Sequence, residues 1–164
     1  MAGPGAGKST MAAALFSKLK WVGVDCELAA EYAKDLVWEK RHKTFENQVY
    51  IFGKQHHRIF RLLGQVQVVI TDSPLLLTPI YDGERRQTLK KLVFEESGKC
   101  NNLNILVVRR KDYNPNGRIH TKSQAAKVDG TVKAFLKENS IPFVEVEGTP
   151  DGADHIKDLV LKLL

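Results

Sequence analysis

Two rhythms of apolar residues alternate along the chain. Short β-branched runs over 22–28, 66–72, 104–108 and 141–146 read as strands, and longer segments with apolar residues three and four positions apart read as helices. The first helix is expected over 10–20, where Met11, Ala12, Ala13, Ala14, Leu15, Phe16 and Leu19 run without a breaker towards Gly23. Helical composition resumes at 29–36, directly after a strand, so Glu31 is expected just past a strand's carboxyl end, the edge where open α/β sheets bind ligands. Over 48–64, Val49, Phe52, His56, Ile59, Phe60 and Leu63 form a core-facing stripe, with Gln48, Gln55 and Arg58 off or beside it. An apolar connection over 75–81 breaks at Asp82-Gly83, and 84–97 reads as a charged surface helix with Leu89, Leu92 and Val93 inward. Helices over 122–139 and 154–164 close the pattern, carrying Ala125, Val128, Val132, Phe135 and Leu136, then Ile156, Leu159, Val160 and Leu163. Strands alternating with helices predict one α/β domain over 1–164, with a parallel sheet and right-handed crossovers.

Length and composition narrow this only slightly. A chain of 164 residues can bury one substantial core, and a formal charge of +6 suits a protein that handles polyphosphates while permitting contact with nucleic acid. Cys26 and Cys100 lack metal-site or disulfide spacing and are expected to be reduced thiols of a cytoplasmic protein. Adjacent His56 and His57 would point to different helix faces, which argues against a metal pair. No apolar run approaches the roughly 20 residues of a membrane span, and no signal-like segment begins the chain, so no membrane partner is expected.

The chemistry concentrates at the start. Gly3-Pro4-Gly5-Ala6-Gly7-Lys8-Ser9-Thr10 stands before the first helical run, the order of parts in a P-loop. Its glycines let backbone N–H groups turn towards phosphates, Lys8 reaches the β- and γ-phosphates, and Ser9 can hold Mg²⁺. The first glycine of the full motif is replaced by Ala2, and only Met1 precedes it where a buried strand is expected. The first strand is therefore expected to be missing or truncated in this chain. The strand over 66–72 ends in Asp72, the Walker B arrangement, in which a buried strand fixes a carboxylate beside the P-loop for Mg²⁺; capping of the next turn is its plain structural alternative. After 104–108, Arg109-Arg110-Lys111 leads into a turn-rich, basic segment through Arg118, read as a lid at about 109–123.

With these residues in place, the chain resembles the P-loop kinases of nucleosides and nucleotides, and most closely the compact branch that includes ribosylnicotinamide kinases and small phage or bacterial ATPase/kinase proteins. The resemblance spans nearly the whole chain and rests on residues 3–10, 31–35 and 71–74 and the arginine-rich segment through Arg118. It implies a three-layer P-loop NTPase fold with a five-strand parallel sheet, ATP and Mg²⁺ as cofactors, and an acceptor site between the second and third strands. In the mechanism it implies, Gly3 to Thr10 hold the donor phosphates, Ser9 and Asp72 place the metal, and Glu31 orients or deprotonates the acceptor hydroxyl. Asp72 could exchange that role with Glu31, and Asp35 is a weaker substitute. Arg118, with Arg109 or Lys122, would close over the transferring phosphate. The expected partners are ATP and a nucleoside, nucleotide or nicotinamide riboside; a nucleic-acid end or modified base is an alternative acceptor, and a regulatory ATPase an alternative function.

Overall fold

The computed structural model describes residues 1–83, 85–110, 112–114, 116 and 119–164. Four short strands form: β1 (Cys26–Ala29), β2 (Val68–Thr71), β3 (Ile105–Val108) and β4 (Val144–Glu147). Seven α-helices surround them: α1 (Lys8–Trp21), α2 (Tyr32–Trp38), α3 (Gln48–Phe60), α4 (Thr78–Asp82), α5 (Gln87–Gly98), α6 (Lys122–Glu138) and α7 (Pro150–Leu161). Every strand pairing is parallel, as expected from strands alternating with helices.

Alternate strand residues serve two cores. Ile70, Val107 and Val146 join Met11, Leu15 and Leu19 of α1 and Ile156 and Val160 of α7. Leu106, one position along β3, faces the opposite way and joins Phe52, Leu89, Val93, Val132 and Leu136 from α3, α5 and α6. The strands thus lie between two helical layers, and this two-sided burial is why β2 and β3 read as continuous apolar runs.

The expected single five-strand sheet is not what the described residues form. They make two separate two-stranded sheets, β1 with β2 and β3 with β4. Between β2 and β3 lies a cleft, with a space of about 410 Å³ on the α1/α7 side and another of about 520 Å³ on the α3/α5 side. Both are bordered by Gln67, Val69, Thr71 and Asn104, so each opens onto the same unpaired strand edges. Met1 already behaves as a strand residue there. Its amine donates to the Ile105 carbonyl, and the Val107 N–H donates to the Met1 carbonyl at 2.8 Å, the parallel-ladder pattern opposite Leu106.

The stripe expected over 48–64 holds at Phe52, which is buried, and at Ile59, which packs against the core, but fails at Val49, Phe60 and Leu63. Val49, Phe60 and Leu63 are 52%, 59% and 41% exposed, whereas Gln48, Ile51, Phe52 and Gln55 are the buried residues of α3. Hydrogen bonds explain why glutamines can face inward: Gln55 accepts from the Tyr32 N–H at 2.9 Å and donates to Thr71 Oγ1 at 3.3 Å, and Gln48 donates to the Phe45 carbonyl at 2.9 Å. Phe60 and Leu63 border the open cleft and stay exposed there. Leu92, expected inward, is 42% exposed on α5. His56 is held by Glu96 at 3.1 Å, between the rings of Phe52 and Phe60. Among the described residues no helix is long and apolar enough to cross a membrane.

The cleft has space on both faces of the unpaired strand edges. Joining a segment of about five β-branched residues ahead of Met1 is expected to raise the Tm by several degrees, at roughly 2–4 °C per kcal/mol in a domain of this size. An unchanged Tm would show that the cleft does not seat a strand.

Candidate functional site

The site begins where α1 begins. Gly7 caps the helix with no side-chain hydrogen bond, and Gly5 and Gly7 take φ values of 74° and 100°, which L side chains rarely adopt. The first N–H groups of α1 are thereby left for an anion. The loop is gripped from outside. Asp129 of α6 accepts from the Gly3 N–H at 2.6 Å through one oxygen and from Arg109 Nε at 2.9 Å through the other, while Arg109 Nη2 donates to the Pro4 carbonyl at 2.8 Å. Lys8 Nζ donates to the Gly3 carbonyl at 3.0 Å, folded back across the loop. Burial holds the Lys8 ammonium below the usual lysine range, against the pull of Glu31, Asp72 and Asp129 towards protonation.

Beneath the loop, Ser9 Oγ donates to Asp72 Oδ2 at 2.5 Å, and Asp72 Oδ1 is buried without a hydrogen-bond partner among the described residues. An orphaned carboxylate oxygen beside a hydroxyl oxygen is a donor set suited to a hard cation such as Mg²⁺. Arg109 Nη1, next to Gly5, is likewise a buried side-chain atom without a partner among the described residues. Because the rest of this guanidinium is engaged by Asp129 and Pro4, Arg109 braces the P-loop from behind. Arg118, expected to close the lid, lies outside the described residues. Lys122 is exposed at the start of α6, 4.0 Å from Asp112.

In front of the loop, a chamber of about 490 Å³ is bordered by Pro4, Gly5, Gly7 to Thr10 and Glu31, and continues between α2 and α3 to Val37, Phe45, Gln48 and Ile51. Glu31 stands at the N-cap of α2 but makes no side-chain capping bond. Asp35, one turn on, pairs with Arg58, which also donates to the Ala30 carbonyl at 3.1 Å. Gln55 fixes the start of α2 against the end of β2, where Thr71 Oγ1 donates to the Ala29 carbonyl at 2.8 Å and accepts from the Ser73 N–H at 3.1 Å. That network sets Glu31 and Asp72 in relation to one another.

Several bordering residues were not singled out from the sequence. Tyr81 of α4 faces the chamber near Glu31; burial first, then Glu31 and Asp129, pushes its hydroxyl well above the ordinary tyrosine range, so it stays a neutral donor. His120, whose ring centroid lies 6.4 Å from that of Tyr81, is held below its usual range by burial and then by Lys8. Tyr113 donates to the His120 carbonyl and lies against Gly5, where an added Cβ would come within 2.9 Å of its ring. Asp129 carried one available signal, four positions after Ala125 on the same helix face.

Replacing Gln55 with Leu is expected to lower stability by about 1–3 kcal/mol, because the Tyr32 N–H and Thr71 hydroxyl lose their partner. Val49→Ala, on the face expected to be core, should stay within about 0.5 kcal/mol. Urea unfolding of both variants checks the contrast, and a costlier Val49 change would mean that the exposed and buried faces of α3 have been interchanged.

No curated protein matches the chain. A family model described as an AAA domain matches residues 2–152, taking in the P-loop, Glu31, Asp72 and Asp129. The chain belongs to this AAA-domain family, a family of the P-loop NTPase type for which nucleotide binding is the implied common property.

Proposed function

We propose that the protein is an ATP- and Mg²⁺-dependent phosphotransferase that moves the γ-phosphate of ATP to a hydroxyl of a nucleoside-like small molecule. One observation carries the reading: the phosphate-facing residues of the P-loop and Glu31 border a single chamber that continues into a largely apolar recess between α2 and α3. A switch ATPase needs the first part and has no use for the second.

Phosphoryl transfer asks mainly for positioning and charge neutralisation. The backbone N–H groups around Gly5, Gly7 and the start of α1 hold the donor phosphates, and Lys8 swings from the Gly3 carbonyl onto the β- and γ-oxygens. Ser9 and Asp72 are the residues that would hold Mg²⁺, which when bound neutralises phosphate charge. Glu31 accepts the proton of the acceptor hydroxyl as its oxygen bonds to the γ-phosphorus and the bond to the β,γ-bridging oxygen breaks, releasing ADP. Asp35 is less suited to that role because Arg58 already engages it. The recess walls and the segment carrying Tyr113 and His120 limit water, the competing acceptor.

The test is ATP turnover with and without nucleosides, mononucleotides and oligonucleotides, in the parent and three variants. Lys8→Ala should abolish transfer with an unchanged circular dichroism spectrum. Asp72→Asn should weaken Mg²⁺-dependent nucleotide binding as well as turnover. Glu31→Gln should leave ATP affinity nearly unchanged and slow transfer roughly 10²–10⁴-fold. Parental transfer rates in Glu31→Gln would sink the assignment of the base. Turnover that no acceptor stimulates would favour the regulatory ATPase instead.

A further inference from the structure

The border of the chamber contains a hydroxyl that the transfer chemistry described above does not use. Of the chain's four tyrosines, Tyr32 donates to the Tyr50 hydroxyl at 3.1 Å and Tyr113 donates to the His120 carbonyl. The Tyr81 hydroxyl makes no hydrogen bond with any described residue, although a tyrosine hydroxyl ordinarily finds a partner when its ring is buried. The ring packs against the core that holds Leu76, Leu89 and Val132, while the residue also borders the chamber. Its oxygen is not among the sealed atoms without a partner, so the polar tip opens onto that space.

The mount is rigid. Tyr81 belongs to α4, which touches α3, α5 and α6, and the next residue, Asp82, is 1% exposed. Asp82 accepts from the Arg86 N–H at 3.0 Å and from the Arg86 guanidinium, which fixes the end of α4. The neighbours of the hydroxyl belong to the reaction centre. It feels Glu31, the proposed base, and Asp129, which takes the Gly3 N–H behind the P-loop. His120, 6.4 Å away between ring centroids, feels Lys8 in turn and borders the same chamber. Burial, then those two carboxylates, keep the Tyr81 proton in place, so what the residue can offer is a hydrogen bond to an oxygen that carries negative charge.

We propose that Tyr81 is a catalytic residue of the transfer step, its hydroxyl donating a hydrogen bond to a non-bridging oxygen of the γ-phosphoryl group as that group leaves ADP. The tyrosine keeps its proton throughout, and the contact counts most while charge is spread over the equatorial oxygens. This rests on the P-loop seating ATP, as the phosphotransferase reading has it, and holds for any acceptor.

Tyr81→Phe keeps the ring and removes the donor. The full chain and this variant are titrated with Mg²⁺·ADP, with a non-hydrolysable ATP analogue, and with Mg²⁺·ADP plus aluminium fluoride, which mimics the phosphoryl group in flight. Tyr81→Phe should bind the fluoride complex roughly 10- to 100-fold more weakly than the parent and bind the other two ligands equally well. ATP turnover, to water or to whichever acceptor stimulates it, should lose a similar factor in kcat with KM unchanged. An unchanged affinity for the fluoride complex, or an equal loss on all three ligands, overturns the assignment. So does a parent chain that binds the fluoride complex no more tightly than ADP. An effect confined to the acceptor's KM overturns it too and moves Tyr81 to the acceptor site. If no acceptor stimulates turnover, the phosphotransferase reading falls by itself, and the fluoride titration still decides the role of Tyr81. Parental ADP affinity in Tyr81→Phe separates loss of the donor from loss of the fold.

Discussion

A P-loop has to keep its backbone N–H groups pointed at empty space, so it cannot be stabilised by its own hydrogen bonds and must be held from behind. In this protein Asp129 supplies that hold. One carboxylate oxygen takes the Gly3 N–H and the other the Arg109 guanidinium, which itself reaches the Pro4 carbonyl. Charge-assisted bonds of this kind are stronger than neutral ones and fix direction. The result ties α6, the end of β3 and the start of the chain into one support. Lys8 completes it from within by folding onto the Gly3 carbonyl until a phosphate offers a better acceptor.

The site has two supports, and they stand on opposite sides of the cleft. Asp72 ends β2, and Gln55 and Thr71 lock the ends of β1 and β2 to the start of α2, so Glu31 and Asp72 move with that sheet. Arg109 and Asp129 belong to the β3 side. Among the described residues, pairing across the strand edges does not join the two halves beyond Met1, and their alignment falls to the helical packing on both faces, α1 and α7 on one and α3, α5 and α6 on the other. Whatever fills the cleft therefore bears on the distance between the phosphate seat and the residues that would act on the phosphate, as well as on stability.

Much of this was legible in the sequence, for identifiable reasons. Strands buried on both faces leave unbroken apolar runs, and β2 (Val-Val-Ile-Thr) and β3 (Ile-Leu-Val-Val) are legible on that ground, whereas β1 and β4 carry glutamates and were placed by the alternation of strands with helices. The P-loop and Asp72 were legible because their chemistry permits few residue types at those places. The face of α3 was not, because apolar periodicity counts glutamine as outward, and nothing local says that Gln55 will meet the Tyr32 N–H and Thr71 across the fold. Phe60 and Leu63 misled in the opposite direction, as apolar residues left uncovered at the edge of the cleft. The split of one sheet into two depends on which edges meet, and a run of apolar residues carries no record of its neighbours. Asp129 showed no more than its helix face for the same reason: its partners lie more than a hundred residues away in Gly3 and across a strand end in Arg109.

The remaining ambiguity in the sequence, whether Glu31 or Asp72 takes the acceptor proton, is one on which burial and partners bear. A general base must reach the hydroxyl proton, and it acts best if the donor phosphates and metal do not already claim it. Asp72 accepts from Ser9, lies buried under the loop, and does not border the chamber in front of the P-loop. Glu31 borders the same chamber as the P-loop and the recess between α2 and α3. Asp35, the third carboxylate in reach of the sequence pattern, is turned towards Arg58. The arrangement favours one carboxylate for the cation and another for the proton, and the Gln55 strut, by fixing the start of α2, is what keeps the two apart.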